Sequence, residues 1–171
     1  MEATTDGILV STKESEFSDF FRAEYPHLVR VAFLIVQDRA AAEDVAQEAC
    51  TRLHHHWRRI RRYDYPPGWV RRVAVNLAIS HAKRSSRRES LPMSKTEDIA
   101  TADLRHDIRN AVAGLPPKER AAVALFYLED YSLAEVAHAL ECSESAAGVR
   151  LHRARKRLAE VLGKEVDADA T

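Results

Sequence analysis

The sequence is poor in the residues that break or staple a chain. Its 171 residues include two cysteines, five glycines and six prolines. Cys50 and Cys142 lie far apart and form no spaced pair, so they exclude a disulfide framework and read as free thiols of a cytoplasmic protein. Scarce glycine and proline argue against a turn-rich β architecture. Apolar runs such as Val29 to Val36 fall far short of the roughly 20 residues that a membrane span needs, so no membrane insertion is expected. The first residues carry acidic and no basic side chains ahead of a short apolar stretch, the wrong charge order for a secretory signal. Nothing has the form of a Gly-rich phosphate loop, a zinc-protease helix or a nucleophile elbow, so no residue is assigned a catalytic role and no cofactor is expected. His54-His55-His56 invites a metal, but consecutive helical residues point in different directions and do not converge on one ion.

What is present is helical periodicity. Phe17, Phe20, Phe21, Leu28, Val31, Ala32 and Ile35 recur at helical spacing and predict a first helix from about Glu16 to Ile35, with Pro26 an internal irregularity. Asp38 is placed to cap a second helix whose stripe is Val45, Ala49, Leu53 and Trp57. Pro66 and Pro67 end that segment near Tyr63-Asp64-Tyr65, and Pro67 suits the first turn of a third helix carrying Val70, Val73, Ala74, Leu77 and Ala78. Residues 90–101 are polar and aperiodic, which predicts a flexible linker. A fourth helix spans about 102–113, and Gly114-Leu115-Pro116-Pro117 separates it from a fifth over about Lys118 to Leu128. Ser132 and Glu135 form a capping-box pair for a short sixth helix. Ser143 caps a last helix running to about Leu162, with Ala147, Leu151, Ala154, Leu158 and Val161 facing inward. The expected fold is therefore all-α: a flexible N-terminus over 1–15, a small helical domain over 16–89, the linker, a second small helical domain over 102–163, and a tail over 164–171.

Charge is distributed unevenly behind a net value of zero. Residues 52–88 hold 11 Lys and Arg against 1 acidic residue, whereas residues 1–50 hold 4 against 10. A basic block of this kind is a footprint for a polyanion. Trp57, Tyr63, Tyr65 and Trp69 are interleaved with it, and cations with aromatic rings suit a single strand of DNA whose phosphates are neutralised and whose bases stack. Against this, both tryptophans also sit at spacings that suit a core. A second basic cluster, Arg150 to Arg157, lies on the last helix. The short capped helix, tight turn and longer basic helix from Ser132 to Leu162 have the form of a helix-turn-helix, whose second helix fits the major groove. Arg150, Arg153 and Arg157 fall three and four apart and share a face, flanked by His152, Arg155 and Lys156; a solvated basic face would show the same spacing.

Three stretches together resemble one family. Ala42-Glu43-Asp44-Val45-Ala46-Gln47-Glu48-Ala49 is similar to the polymerase-binding helix of sigma factors, and Gly68-Trp69-Val70-Arg71-Arg72-Val73-Ala74-Val75-Asn76-Leu77-Ala78 to their promoter-melting helix. Leu115-Pro116-Pro117-Lys118-Glu119-Arg120, the Ser132–Leu140 helix and Arg150-Leu151-His152-Arg153-Ala154-Arg155 resemble their last conserved region. The order matches the extracytoplasmic-function group, which keeps only domains 2 and 4. The resemblance implies that Asp44, Gln47 and Glu48 dock on a coiled coil of the β′ subunit of core RNA polymerase. It implies that the loop Arg62 to Gly68, with Tyr63, Tyr65, Trp69 and Asn76, holds a base flipped from the −10 element of promoter DNA. Arg71, Arg72, Lys83, Arg84, Arg87 and Arg88 would grip the strand backbone. The last helix, through Ser145, Arg150, His152, Arg153, Arg155 and Arg157, would meet the −35 element near the β flap, and an anti-sigma factor becomes a possible partner. The chain departs from the family where members often carry Gly, then Gly-Thr-Val-Lys-Ser: here stand Glu141 and Ser145-Ala146-Ala147-Gly148-Val149, without the usual base-reading Thr and phosphate-binding Lys. Two readings of other classes stand beside this one, an autonomous helix-turn-helix regulator and a helical protein-interaction adaptor. Neither has an evident need for the aromatic-basic mixture between Tyr63 and Asn76.

Overall fold

The computed structural model describes the backbone of residues 5–88 and 103–168 and the side chains of residues 14–87 and 107–163. The linker over 90–101 lies outside the described residues. Among the described residues seven α-helices succeed one another: α1 Thr5–Val36, α2 Arg39–Ile60, α3 Pro66–Arg88, α4 Asp103–Ala113, α5 Pro117–Val123, α6 Leu133–Ala139 and α7 Glu144–Ala168. No strand occurs among the described residues, as the all-α expectation requires.

Local chemistry sets the helix starts. The Asp38 carboxylate accepts a hydrogen bond from the Ala41 N–H at 2.7 Å, satisfying one of the free donors at the start of α2. Pro66 and Pro67 fill the first turn of α3, where a missing N–H is harmless. Ser132 and Glu135 cap each other's backbone reciprocally at the start of α6. The Ser132 N–H, and then its hydroxyl, hold the Glu135 carboxyl below its ordinary pKa. Ser143 accepts from the Ala146 N–H at 3.1 Å at the start of α7. The helix ends differ more from expectation. α1 begins at Thr5 rather than Glu16, and α7 continues to Ala168, into the expected tail. Once a helix is nucleated, each added residue gains a hydrogen bond, so propagation outruns the last apolar contact.

The fifth helix is also not one regular helix. After Val123 the chain winds as a π-helix over Ala124–Leu128 and closes with the Tyr131 N–H donating to the Leu125 carbonyl at 3.1 Å. The wider turn rotates the succeeding residues away from the positions an α-helix would give them. Leu125 stays fully buried while Glu129 meets α1 and α3.

Helices α1–α3 pack on one another, as do α4–α7. The two groups meet where α1 and α3 lie against α5, the π segment and α6. Leu28, Ile35, Leu53, Ile60, Val70 and Val75 are fully buried in the first group, Leu125 and Val136 in the second, and the two cores form one continuous apolar cluster. Trp57 is a core residue, edge-on to Phe17 at 5.5 Å and tilted on Phe20 at 5.1 Å. Val161, expected to face inward, is exposed, because α7 has by then run past the helices that cover Ala147, Leu151 and Ala154.

Candidate nucleic-acid and polymerase interfaces

Asp44, Gln47 and Glu48 are exposed on α2, opposite the buried Val45, Ala46, Ala49 and Leu53. Glu48 is paired with Arg52 at 2.8 Å one turn on, a solvent-exposed i,i+4 pair that a partner can exchange at little loss.

The segment after α2 is short and open. The Arg62 and Tyr63 N–H groups donate to the carbonyls of Arg59 and Ile60, which closes α2 in a turn. Arg62, Tyr63 and Tyr65 are exposed. A Cβ at Gly68 would stand 2.6 Å from the Tyr65 ring, so the absence of a side chain there lets the ring lie on the first turn of α3. Trp69 is half-buried, edge-on to His56 at 6.0 Å, and Asn76 is half-buried two turns further along α3.

The cations of α3 divide into two sets. Lys83, Arg84 and Arg87 lie on its C-terminal half, where Lys83 and Arg84 are exposed and Arg87 likewise, and the Arg88 side chain adds a further cation in sequence. Arg71 and Arg72, by contrast, are engaged. Arg71 is only 12% exposed and is held from two sides. Its Nε and Nη2 donate to the two oxygens of Glu24 on α1 at 2.9 and 3.2 Å. Its Nη1 donates to the Tyr65 hydroxyl at 3.3 Å and lies 2.9 Å from Oε2 of Glu129. Burial opposes the charge on Arg71, but Glu24 first and Glu129 after it hold the guanidinium more firmly protonated than usual. Arg72 pairs with Glu141 in the turn between α6 and α7. In this arrangement, then, Arg71 is buried between Glu24 of the first group of helices and Glu129 of the second, while Arg72 makes a surface pair with Glu141.

Residues of α7 are similarly divided. Ser145, His152, Arg153, Arg155, Lys156 and Arg157 are all exposed, but several of the arginines are also engaged. Arg150 turns back onto the preceding turn, its Nη1 2.8 Å from Cys142 Sγ. Arg155 donates to the Tyr127 hydroxyl at 2.7 Å and sits over the Phe126 ring at 5.5 Å. Arg157 pairs at 2.8 Å with Glu119, whose side chain is 8% exposed. Arg150, Arg153 and Arg157 share one face of α7, but Arg150 and Arg157 are engaged within their own group of helices. Four residues of this region carried no local signal: Glu24, His27, Arg30 and Glu129 become a cluster only by folding, and their types and spacing are those of an ordinary amphipathic helix and a loop.

Comparison with known proteins fits this geometry. Residues 20–88, which hold α2, α3 and the loop between them, match the family model of Sigma-70 region 2. Residues 105–158, which hold the helix-turn-helix, match that of Sigma-70 region 4. The chain is 30% identical over 151 residues to the ECF RNA polymerase sigma factor SigM of Mycobacterium tuberculosis, covering 86% of this chain and 77% of that protein. It is 31% identical over 165 residues to the RNA polymerase sigma-E factor of Streptomyces coelicolor, covering 91% of each. Its fold is similar to that of the sigma factor RpoE from Bartonella quintana, solved in complex with the anti-sigma factor NepR, with a TM-score of 0.73 over 86% of this chain and 97% of that one at 20% identity. With the two regions in order on two groups of helices, the chain belongs to the extracytoplasmic-function RNA polymerase sigma factors, which bind the polymerase and recognise promoters.

Proposed function

We propose that this sigma factor reads its promoter mainly through the first group of helices, domain 2, and uses α7 of domain 4 chiefly to grip phosphates. The observation that carries the reading is the contrast between two surfaces. The loop after α2 offers exposed Tyr63 and Tyr65, with Arg62 beside them, on a close-packed Gly68 turn, suited to stack on and hydrogen-bond a base flipped out of the −10 element. The first turns of α7 offer Ala146, Ala147, Gly148 and Val149, none of which can make a bidentate contact to a base edge. His152, Arg153 and Lys156 remain for the backbone, and phosphate contacts position a protein without specifying sequence.

The exposed row Asp44, Gln47 and Glu48 is the core-polymerase contact in this reading, with carboxylates facing a basic partner surface. Lys83, Arg84, Arg87 and Arg88 track the displaced strand, and an anti-sigma factor is a further partner. Run-off transcription with core polymerase, on promoters carrying single-base substitutions, tests the division of labour. Losses should be steep across the −10 element and shallow across the −35 element. Equally steep −35 losses would mean that α7 reads bases. The double variant Asp44→Arg, Glu48→Arg should lose core binding while keeping its helical content; unchanged core binding removes that assignment.

A further inference from the structure

Glu129 stands at the junction of the two groups of helices with its side chain 2% exposed. Three cationic or cation-forming groups of domain 2 converge on it. Its Oε2 lies 2.9 Å from Arg71 Nη1, and its Oε1 lies 3.5 Å from both His27 Nδ1 and Arg30 Nη2. Arg30 and His27 also touch each other at 3.0 Å, so they are held as a pair. Glu24 already fixes the Nε and Nη2 edge of Arg71, which leaves the Nη1 edge, beside the Tyr65 hydroxyl, as the part that Glu129 takes.

We propose that His27, Arg30 and the Nη1 edge of Arg71 form a phosphate subsite for the promoter strand, and that Glu129 occupies it as a carboxylate stand-in when domain 4 is closed on domain 2. The subsite rests on the promoter-strand role assigned above to the Arg62–Gly68 loop and to α3, and extends it to α1, where the sequence marks no DNA contact. The fit of Glu129 is incomplete. Its Oε1 is buried without a hydrogen bond, so one oxygen is compensated by nearby charge alone. Such a carboxylate regains hydration on leaving, and a phosphodiester, which likewise spreads one negative charge over two oxygens, can accept from the same donors.

A second, exposed contact joins domain 4 to α3 beside the subsite and outside it. Glu141 holds the left-handed conformation, φ 51°, at a position that favours glycine, and from there it pairs with Arg72. Of the two cations of α3 nearest the loop, Arg71 is thus buried by Glu129, whereas Arg72 is only paired at the surface and stays 36% exposed. Closure blocks the strand path, and the strand and domain 4 compete for the same groups.

The test uses the full chain and a fluorescein-labelled single-stranded DNA of random sequence, about 20 nucleotides long to span one binding path, read by anisotropy. Glu129→Gln should bind about tenfold tighter than the unaltered chain, the size of a typical coupling between two sites. Glu141→Gln, with the same change in net charge but outside the subsite, should gain less than about twofold, as for an exposed pair. Adding Arg30→Gln to Glu129→Gln should abolish the gain, whereas adding Arg22→Gln, an exposed cation of the same helix, should not. Glu129→Asp keeps the charge, shortens the reach and should give a smaller gain, again lost with Arg30→Gln; it carries the test alone if Glu129→Gln does not fold. Equal gains from Glu129→Gln and Glu141→Gln, or a gain indifferent to Arg30, would overturn the subsite. Transcription with core polymerase on the same preparations separates the two failures. Active chains whose DNA affinity does not move sink the subsite alone, and chains inactive with core polymerase sink the promoter-strand reading beneath it.

Discussion

The basic residues of α3 and those of α7 are similar in type and spacing but differ in company. On the C-terminal half of α3, Lys83, Arg84 and Arg87 are exposed to solvent. On α7, Arg150, Arg155 and Arg157 are turned onto Cys142, Tyr127 and Glu119 of their own group. Helix α7 uses cations to hold a small domain of short helices together. Domain 2 pairs one buried cation, Arg71 with Glu24, and adds to it an aromatic core of Trp57, Phe17 and Phe20 between long helices. A small unit with few large buried side chains is marginal on apolar burial alone, and ion pairs to partly buried carboxylates then become structural.

The largest expected effect breaks the aromatic side of this comparison. Trp57→Ala should destabilise the protein by about 3–5 kcal/mol, as for large aromatic truncations in a core, measured by urea denaturation. Trp57→Phe should keep most of the stability and leave promoter melting unchanged, because the indole is a core group and its buried Nε1 makes no hydrogen bond. Loss of melting by a folded Trp57→Phe protein would return Trp57 to the DNA surface.

The ionic side comes next. Arg157→Ala should destabilise by about 1–3 kcal/mol, since it leaves the Glu119 carboxylate, 8% exposed, without its cation; the figure is below that for a fully buried pair because Arg157 itself is half-exposed. Arg153→Ala, on the same face, should change stability by less than about 0.5 kcal/mol and instead reduce the salt dependence of DNA binding. Thermal melts and salt titrations of the two variants give opposite rankings if the division of α7 is right.

The two cysteines offer a chemical contrast. Burial, with Glu24 adding to it, pushes the Cys50 thiol up to about 11, so at about pH 8 iodoacetamide should modify half-exposed Cys142 and spare Cys50, as peptide mass spectrometry would read. The same shift links to stability. A thiol whose pKa is raised in the folded state contributes fully below its unfolded value of 9.0 and loses that contribution as pH rises through about 11. Burial likewise pushes Tyr131 up to about 12 from 10.0, which extends the loss upward. The melting temperature should therefore fall above pH 9, and less steeply in Cys50→Ala.

The smallest effect sharpens the picture of the helix-turn-helix. A Cβ at Gly148 would meet Leu133 at an ordinary 3.8 Å. Gly148→Ala should thus stabilise domain 4 by about 0.5–1 kcal/mol through helix propensity, visible as a small rise in the urea midpoint. A loss of stability would show that α6 and α7 pack more closely than that distance allows.

Much of the architecture was legible because it is written in short-range chemistry. Asp38, Pro66-Pro67, Ser132 with Glu135, and Ser143 each act within a few residues, and each marks a helix start where the structure has one. The exposed row on α2 was implied by the stripe behind it. Less was legible wherever the outcome depended on chain far away. The π segment replaced a regular fifth helix, the ends of α1 and α7 overran their apolar stripes, and Val161 emerged into solvent.

By itself the sequence determined the all-α class, the number and order of helices, the helix-turn-helix and the block of cations, because caps, prolines and periodicity operate over one or two turns. Only the tertiary structure decided which cations are free. Arg71 meets Glu24 from 47 residues away and Arg157 meets Glu119 from 38 residues away, and Arg72 meets a Glu141 whose left-handed backbone carries no mark in its residue type. Such pairings arise from the way helices are laid against one another, and a guanidinium drawn on a helical wheel looks the same whether its partner is a carboxylate of this chain or a phosphate of DNA.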